Sequence, residues 1–239
     1  MLNLFYLDFV ELIAFCGKSM QYDHIISDNL IMLKDEKGNL EKVFKELEGL
    51  EAEWRIDGVP EEYKMIWVPN NEIRLWSVPR STGELLRALV LAARPKVILE
   101  LGTSAGYSTI WMATAAQAYG GKIYTVEATK PKIEISSKYF KMAGVTDSIE
   151  QIEGMAQDVL EEFDRNIDFL FLDADKPNYY QYLKTIEPRL NKNAMIVADN
   201  AMNFGDYMQD FLDYLEKSDN YVAQMIEMDY GVMTALKVS

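Results

Sequence analysis

The stretch "IDFLFLDADKPNYYQYL", Ile167 to Leu183, decides the fold. Its first part is apolar enough for a strand covered on both faces, the pattern of a parallel sheet. A helical pattern, "NYYQYLKTIEPRL", follows it. Between the two stand Asp173, Asp175 and Lys176. Charges at the tip of a buried strand cost desolvation energy unless something compensates them. Either they point into solvent from a turn, or they hold a ligand.

The same alternation recurs on both sides. "VILEL" at 97–101, "KIYTVE" at 122–127, "IEQIE" at 149–153 and "AMIVAD" at 194–199 read as strands, with helical patterns such as "KIEISSKYFKMAGV" between them. Strands alternating with helices predict an α/β fold, a mostly parallel sheet with helices on both faces. The end differs: "YVAQMIEMD", a Tyr-Gly turn and "GVMTALKV" predict a closing antiparallel hairpin. Residues 1–75 read as an N-terminal helical extension and 76–239 as the α/β domain. Within the extension, Leu40, Val43, Phe44, Leu47 and Leu50 recur at helical spacing.

Composition limits the chemistry. Cys16 and His24 are the sole cysteine and histidine. This excludes an intrachain disulfide and a Cys/His zinc site, and it suits a reducing, cytoplasmic setting. Acid–base work falls to carboxylates, lysines, tyrosines or a bound cofactor. A formal charge of −14 disfavours a protein that grips phosphate backbones. The apolar opening, residues 2–16, is interrupted by Asp8 and Glu11 and lacks a basic start, so it reads as an amphipathic helix for core or homodimer packing. A signal peptide, a membrane span and a membrane-surface helix fit it less well.

In open sheets of this kind ligands bind beyond the carboxyl ends of the strands. The first strand ends in "ELGTSAGYST", where Gly102 and Gly106 bracket a tight turn that lets backbone N–H groups approach a ligand. It is not G-x-G-x-x-G, so a dinucleotide site is unsupported. The second strand ends at Glu127, placed to accept hydrogen bonds from a ribose. The fourth ends at Asp173 and the fifth at Asp199-Asn200, hard oxygen donors suited to Mg²⁺, or to Mn²⁺ or Ca²⁺, if the two strands are neighbours. The plainer alternative is that these residues only cap the following helices.

"VILELGTSAGYSTIWMA", "IYTVEATKPKIEISSKYFKMAGV", "IDFLFLDADKPNYYQYL", "MIVADNAM" and "YGVMTALK" together resemble the cation-dependent O-methyltransferases, which include catechol and caffeoyl-coenzyme A O-methyltransferases. The resemblance runs from about Val78 to the end. It implies a Rossmann-like class I methyltransferase fold with a seven-stranded sheet, using S-adenosylmethionine and a divalent cation. Gly102, Thr103 and Ser108, with Val78 and Glu100, would hold the methionine part of the cofactor. Glu127 would bind the ribose, and Ala156 would lie beside the adenine. Asp173, Asp199 and Asn200 would bind the cation, with Asp173 also near the cofactor, and Lys176 would be the general base. The acceptor would be a hydroxyl of a small catechol-like molecule.

Two other readings compete. One is a tRNA hydroxyuridine O-methyltransferase of the same family, with a basic groove built from Lys130, Lys132 and Lys138. The other is a protein that binds S-adenosylmethionine without catalysis. Trp67, Trp76, Tyr179 and Tyr180 are candidates for an aromatic acceptor pocket or for packing. Arg80 could meet an anionic acceptor or form a surface ion pair.

Overall fold

The computed structural model describes residues 39–66 and 71–239. The expectations for residues 2–16, Cys16, His24 and Trp67 lie outside the described residues. The chain divides into two compact units, Met1–Glu41 and Lys42–Ser239, and the second carries the features below.

Helix α1 covers residues 39–53 in the described part. Two short antiparallel strands follow, β1 (Arg55–Asp57) and β2 (Glu72–Arg74). The helical reading of this region missed them, because three residues are too few for a two-residue period to register.

The main sheet contains β3 (Val97–Leu101), β4 (Lys122–Glu127), β5 (Ile149–Glu153), β6 (Ile167–Leu172), β7 (Leu190–Ala198), β8 (Tyr221–Ile226) and β9 (Val232–Lys237). Their spatial order is β5-β4-β3-β6-β7-β9-β8. The first five pair in parallel, and β9 is antiparallel to both β7 and β8, as the closing hairpin predicted. β7 starts at Leu190, four residues before the apolar run that marked it.

The helices are α2 (Arg80–Ala93), α3 (Tyr107–Ala116), α4 (Lys130–Ala143), α5 (Ala156–Glu162), α6 (Tyr179–Ile186) and α7 (Gln209–Lys217). Alternation along β3 separates two cores. Leu99 and Leu101 join Leu160 of α5, Tyr179 and Leu183 of α6 and Phe211 of α7. Glu100 turns the other way, toward α3.

Helix α3 is buried almost all round, as its lack of a polar stripe requires. Phe44 of α1 stacks on Trp111 at 4.2 Å, and α2 comes so close that a Cβ on Gly83 would lie 2.3 Å from the Trp111 ring. The α3 N-terminus is fixed by Gly106, whose φ is +86° and whose missing Cβ leaves room for Phe140 of α4. An added methyl there would lie 2.4 Å from that ring. Gly106→Ala is therefore expected to cost about 2 kcal/mol through left-handed backbone strain and overpacking. Urea unfolding of the variant against the wild type measures it.

Candidate active site

The parallel strands end almost flush. Leu101 pairs with Val126 on one side and Leu172 on the other, and Leu172 pairs with Ala198. The residues that follow, Gly102, Glu127, Asp173 and Asp199, therefore sit along one edge of the sheet. The chain order reverses between β3 and β6, which opens a crevice at that edge. A cavity of about 470 Å³ occupies it.

Gly102 makes the crevice possible. Its φ is +98°, and a Cβ there would lie 2.2 Å from the Asp173 carbonyl oxygen, so no other residue lets the two strand ends approach as they do. Ser104 also has positive φ, at 48°. Its N–H donates to Glu127 at 2.9 Å, and its hydroxyl accepts the Trp76 N–H at 2.9 Å. Glu127 also accepts the Thr129 N–H and hydroxyl. A carboxylate has about four acceptor positions, so these three bonds orient it and leave capacity for a ligand hydroxyl.

Across the cavity, the Lys176 ammonium lies 2.6 Å from Asp173 Oδ1. It also donates to the Tyr179 hydroxyl at 2.9 Å, which itself donates to the Leu172 carbonyl. Lys176 is 5% exposed and lines the cavity. This chain of bonds holds its Nζ against the end of β6.

Asp199 is buried, and its Oδ1 has no hydrogen-bond partner. Burial, and then the neighbouring Asp173 charge, push its carboxyl up to about 7, against the pull of Lys176. Asn200 adds an amide beside it and adopts φ 63°, which asparagine tolerates better than most residues. Two carboxylates and an amide, with one buried oxygen unsatisfied, fit a hard divalent cation. Among the described residues no group of three or more His, Cys, Asp or Glu side chains could hold a metal, so such a site depends on the Asn200 amide.

Of the residues singled out in the sequence, Gly102, Glu127, Ala156, Asp173, Lys176, Asp199 and Asn200 line the cavity together. Val78, Glu100, Thr103 and Ser108 are buried away from its wall. Three of them form a polar knot beneath the glycine turn. Ser108, Thr109 and Thr125 donate to Glu100 at 2.5–2.6 Å, and the Thr103 and Thr125 hydroxyls share a bond of 2.5 Å. Burial still outweighs these donors and raises the Glu100 carboxyl to about 7.

Other wall residues went unread: Glu51, Ser77, Ser104, Phe204 and Tyr230, and Lys132, read for a basic groove, also lines the cavity. Tyr230 was visible only as a turn residue. Trp76, 54% exposed, lines the cavity, whereas Tyr179 is core and Tyr180 packs on Tyr214. Arg80 pairs with Glu48 and lies over the Phe44 ring, so the surface ion pair is the reading that holds.

The family model described as O-methyltransferase matches residues 63–235. The chain belongs to the O-methyltransferase family. A catechol O-methyltransferase of Niastella koreensis is 38% identical over 133 residues, covering 54% of this chain and 60% of that protein. A caffeoyl-CoA O-methyltransferase of Medicago sativa is 32% identical over 150 residues, 60% of each. The chain thus spans about 60% of the length of these curated relatives. The O-methyltransferase TomG of Streptomyces achromogenes, solved in complex with SAM, superposes with a TM-score of 0.63 at 27% identity, covering 68% of this chain and 82% of that one. The sheet order and closing hairpin are those of the class I O-methyltransferase fold.

The two raised carboxyls give this member of the O-methyltransferase family a pH signature. Glu100 and Asp199 bind protons more tightly folded than unfolded, where their ordinary values are 4.5 and 3.8. Their contribution to stability is full below those values and is lost as pH rises toward about 7. Urea midpoints of the wild type should fall across that window. Glu100→Gln and Asp199→Asn should each flatten part of the slope, and unchanged slopes would show that neither group titrates there.

Proposed function

We propose that the chain moves a methyl group from S-adenosylmethionine to a hydroxyl of a small catechol-like acceptor, assisted by a divalent cation. The observation that carries this reading is the meeting of Asp173, Lys176, Asp199 and Asn200 at adjacent strand ends, across one cavity from Glu127. When bound, S-adenosylmethionine supplies a methyl on a sulfonium, ready for in-line displacement. A divalent cation on Asp173, Asp199 and Asn200 would neutralise the carboxylate pair, stabilise the acceptor oxyanion and loosen the hold of Asp173 on the Lys176 ammonium.

The chain's own residues do the rest. Glu127 is oriented to accept the ribose hydroxyls, and the Gly102–Gly106 turn lets the backbone approach the ligand. Ala156 and Met155 line the wall next to Glu127, where the adenine would lie. With the ribose at Glu127, Gly102 and Asp173 would hold the methionine end. Lys176, in its neutral form, takes the acceptor's proton at Nζ; a phenol with a pKa of about 10 requires such help near neutral pH. Trp76, Phe204 and Tyr230 in the cavity wall supply aromatic surface suited to a flat acceptor. Positioning of the two substrates supplies much of the acceleration in a displacement of this kind.

A lysine held at the end of the cavity supports catalysis over cofactor binding alone. Incubation with labelled S-adenosylmethionine and either small catechols or bulk tRNA, each with Mg²⁺ or EDTA, tests the reading. Label is expected in the catechol arm with Mg²⁺ only. Lys176→Met and Asp199→Asn should each lower turnover by about 10²-fold or more, the lower range for a general base. Undiminished activity in EDTA would remove the cation, and label in tRNA alone would replace the acceptor.

A further inference from the structure

Glu51 comes from α1, upstream of the residues 63–235 that match the family model, yet it lines the cavity. Its Oε1 accepts the Ser77 N–H at 3.1 Å. The preceding N–H, of Trp76, donates to Ser104 in the glycine turn. The segment Trp76-Ser77 thus ties α1 to the turn between β3 and α3 and aims the Glu51 carboxylate at the Gly102 side of the cavity. Burial raises this carboxyl, the Ser77 hydrogen bonds oppose that, and the Asp173 charge adds to the rise. Asp173 lines the same cavity.

Asp173 and Glu51 are thus two carboxylates on the wall of one small-molecule cavity. Lys176 sits on Asp173, and Arg74 of β2 is engaged by Glu72 at 2.6 Å. A monovalent cation entering between Glu51 and Asp173 would relieve their repulsion and gain a charge-assisted hydrogen bond. Resting on the proposed function, which puts the methionine end at Asp173, we infer that Glu51 binds the α-ammonium of the cofactor and so makes α1 part of its binding site.

Calorimetric titration separates this from a structural role. S-Adenosylhomocysteine carries the ammonium but no sulfonium, and 5′-methylthioadenosine keeps the nucleoside and thioether but lacks the amino acid. Glu51→Gln should weaken S-adenosylhomocysteine about tenfold, in line with loss of one hydrogen bond to a charged group. Methylthioadenosine affinity should stay unchanged, as should both affinities in Glu53→Gln, an exposed change on the same helix. Equal weakening of both ligands would mean that the variant displaces α1, and would overturn the inference. So would unchanged binding of S-adenosylhomocysteine, or a loss confined to S-adenosylmethionine, which would assign Glu51 to the sulfonium. Wild-type protein that binds none of the three would bring down the proposed function itself, whereas normal wild-type binding with an unaffected Glu51→Gln removes only this inference.

Discussion

The site depends on the approach of two backbones at the centre of the sheet. Where β3 and β6 end side by side, the space that a Cβ on Gly102 would need holds the Asp173 carbonyl. Any side chain at Gly102 would force the strand ends apart and move Asp173 with them. Because the strands end flush, that shift would pass to Asp199 on one flank and Glu127 on the other. A single missing methyl group thus sets the width of the crevice.

Electrostatics divides the site into two kinds of carboxylate. Glu127 accepts three donors from Ser104 and Thr129, which fix its direction and leave one acceptor position for a ligand. Asp199 is under-satisfied and carries a raised proton affinity because it is buried and because Asp173 stands beside it. The first arrangement suits recognition of neutral hydroxyls, and the second suits a cation. Glu100 illustrates a third use: a buried acid that gathers hydroxyls from α3 and β4 and stiffens the floor under the glycine turn. Such a polar network is worth having only when every member is satisfied, and its three donors meet that condition.

Much of this was legible in the chain. Apolar runs ending in charge marked the strand tips, and the regular alternation of strand and helix patterns fixed which tips would share an edge. Asp173, Asp199 and Asn200 were readable as polar oxygen donors directly after buried strands, with helix capping as the alternative, and the family resemblance added Lys176. The family resemblance assigned Val78, Glu100, Thr103 and Ser108 to the methionine part of the cofactor; the structure buries them beside the cavity wall, since successive residues on a strand point to opposite sides. Trp76 was a candidate from its aromatic side chain, whereas Glu51 and Tyr230 gave no local sign of a site, since each reaches the cavity from a distant segment.

The sequence by itself determined the layered α/β architecture, the closing hairpin and the polar strand ends, because periodicity and turn chemistry act over a few residues. Only the tertiary structure decided which of those polar groups face the cavity and which lie under it. It also decided that α1 contributes a carboxylate and the hairpin a tyrosine. These are outcomes of register and packing between segments far apart in the chain, where a shift of one residue turns a side chain to the opposite face.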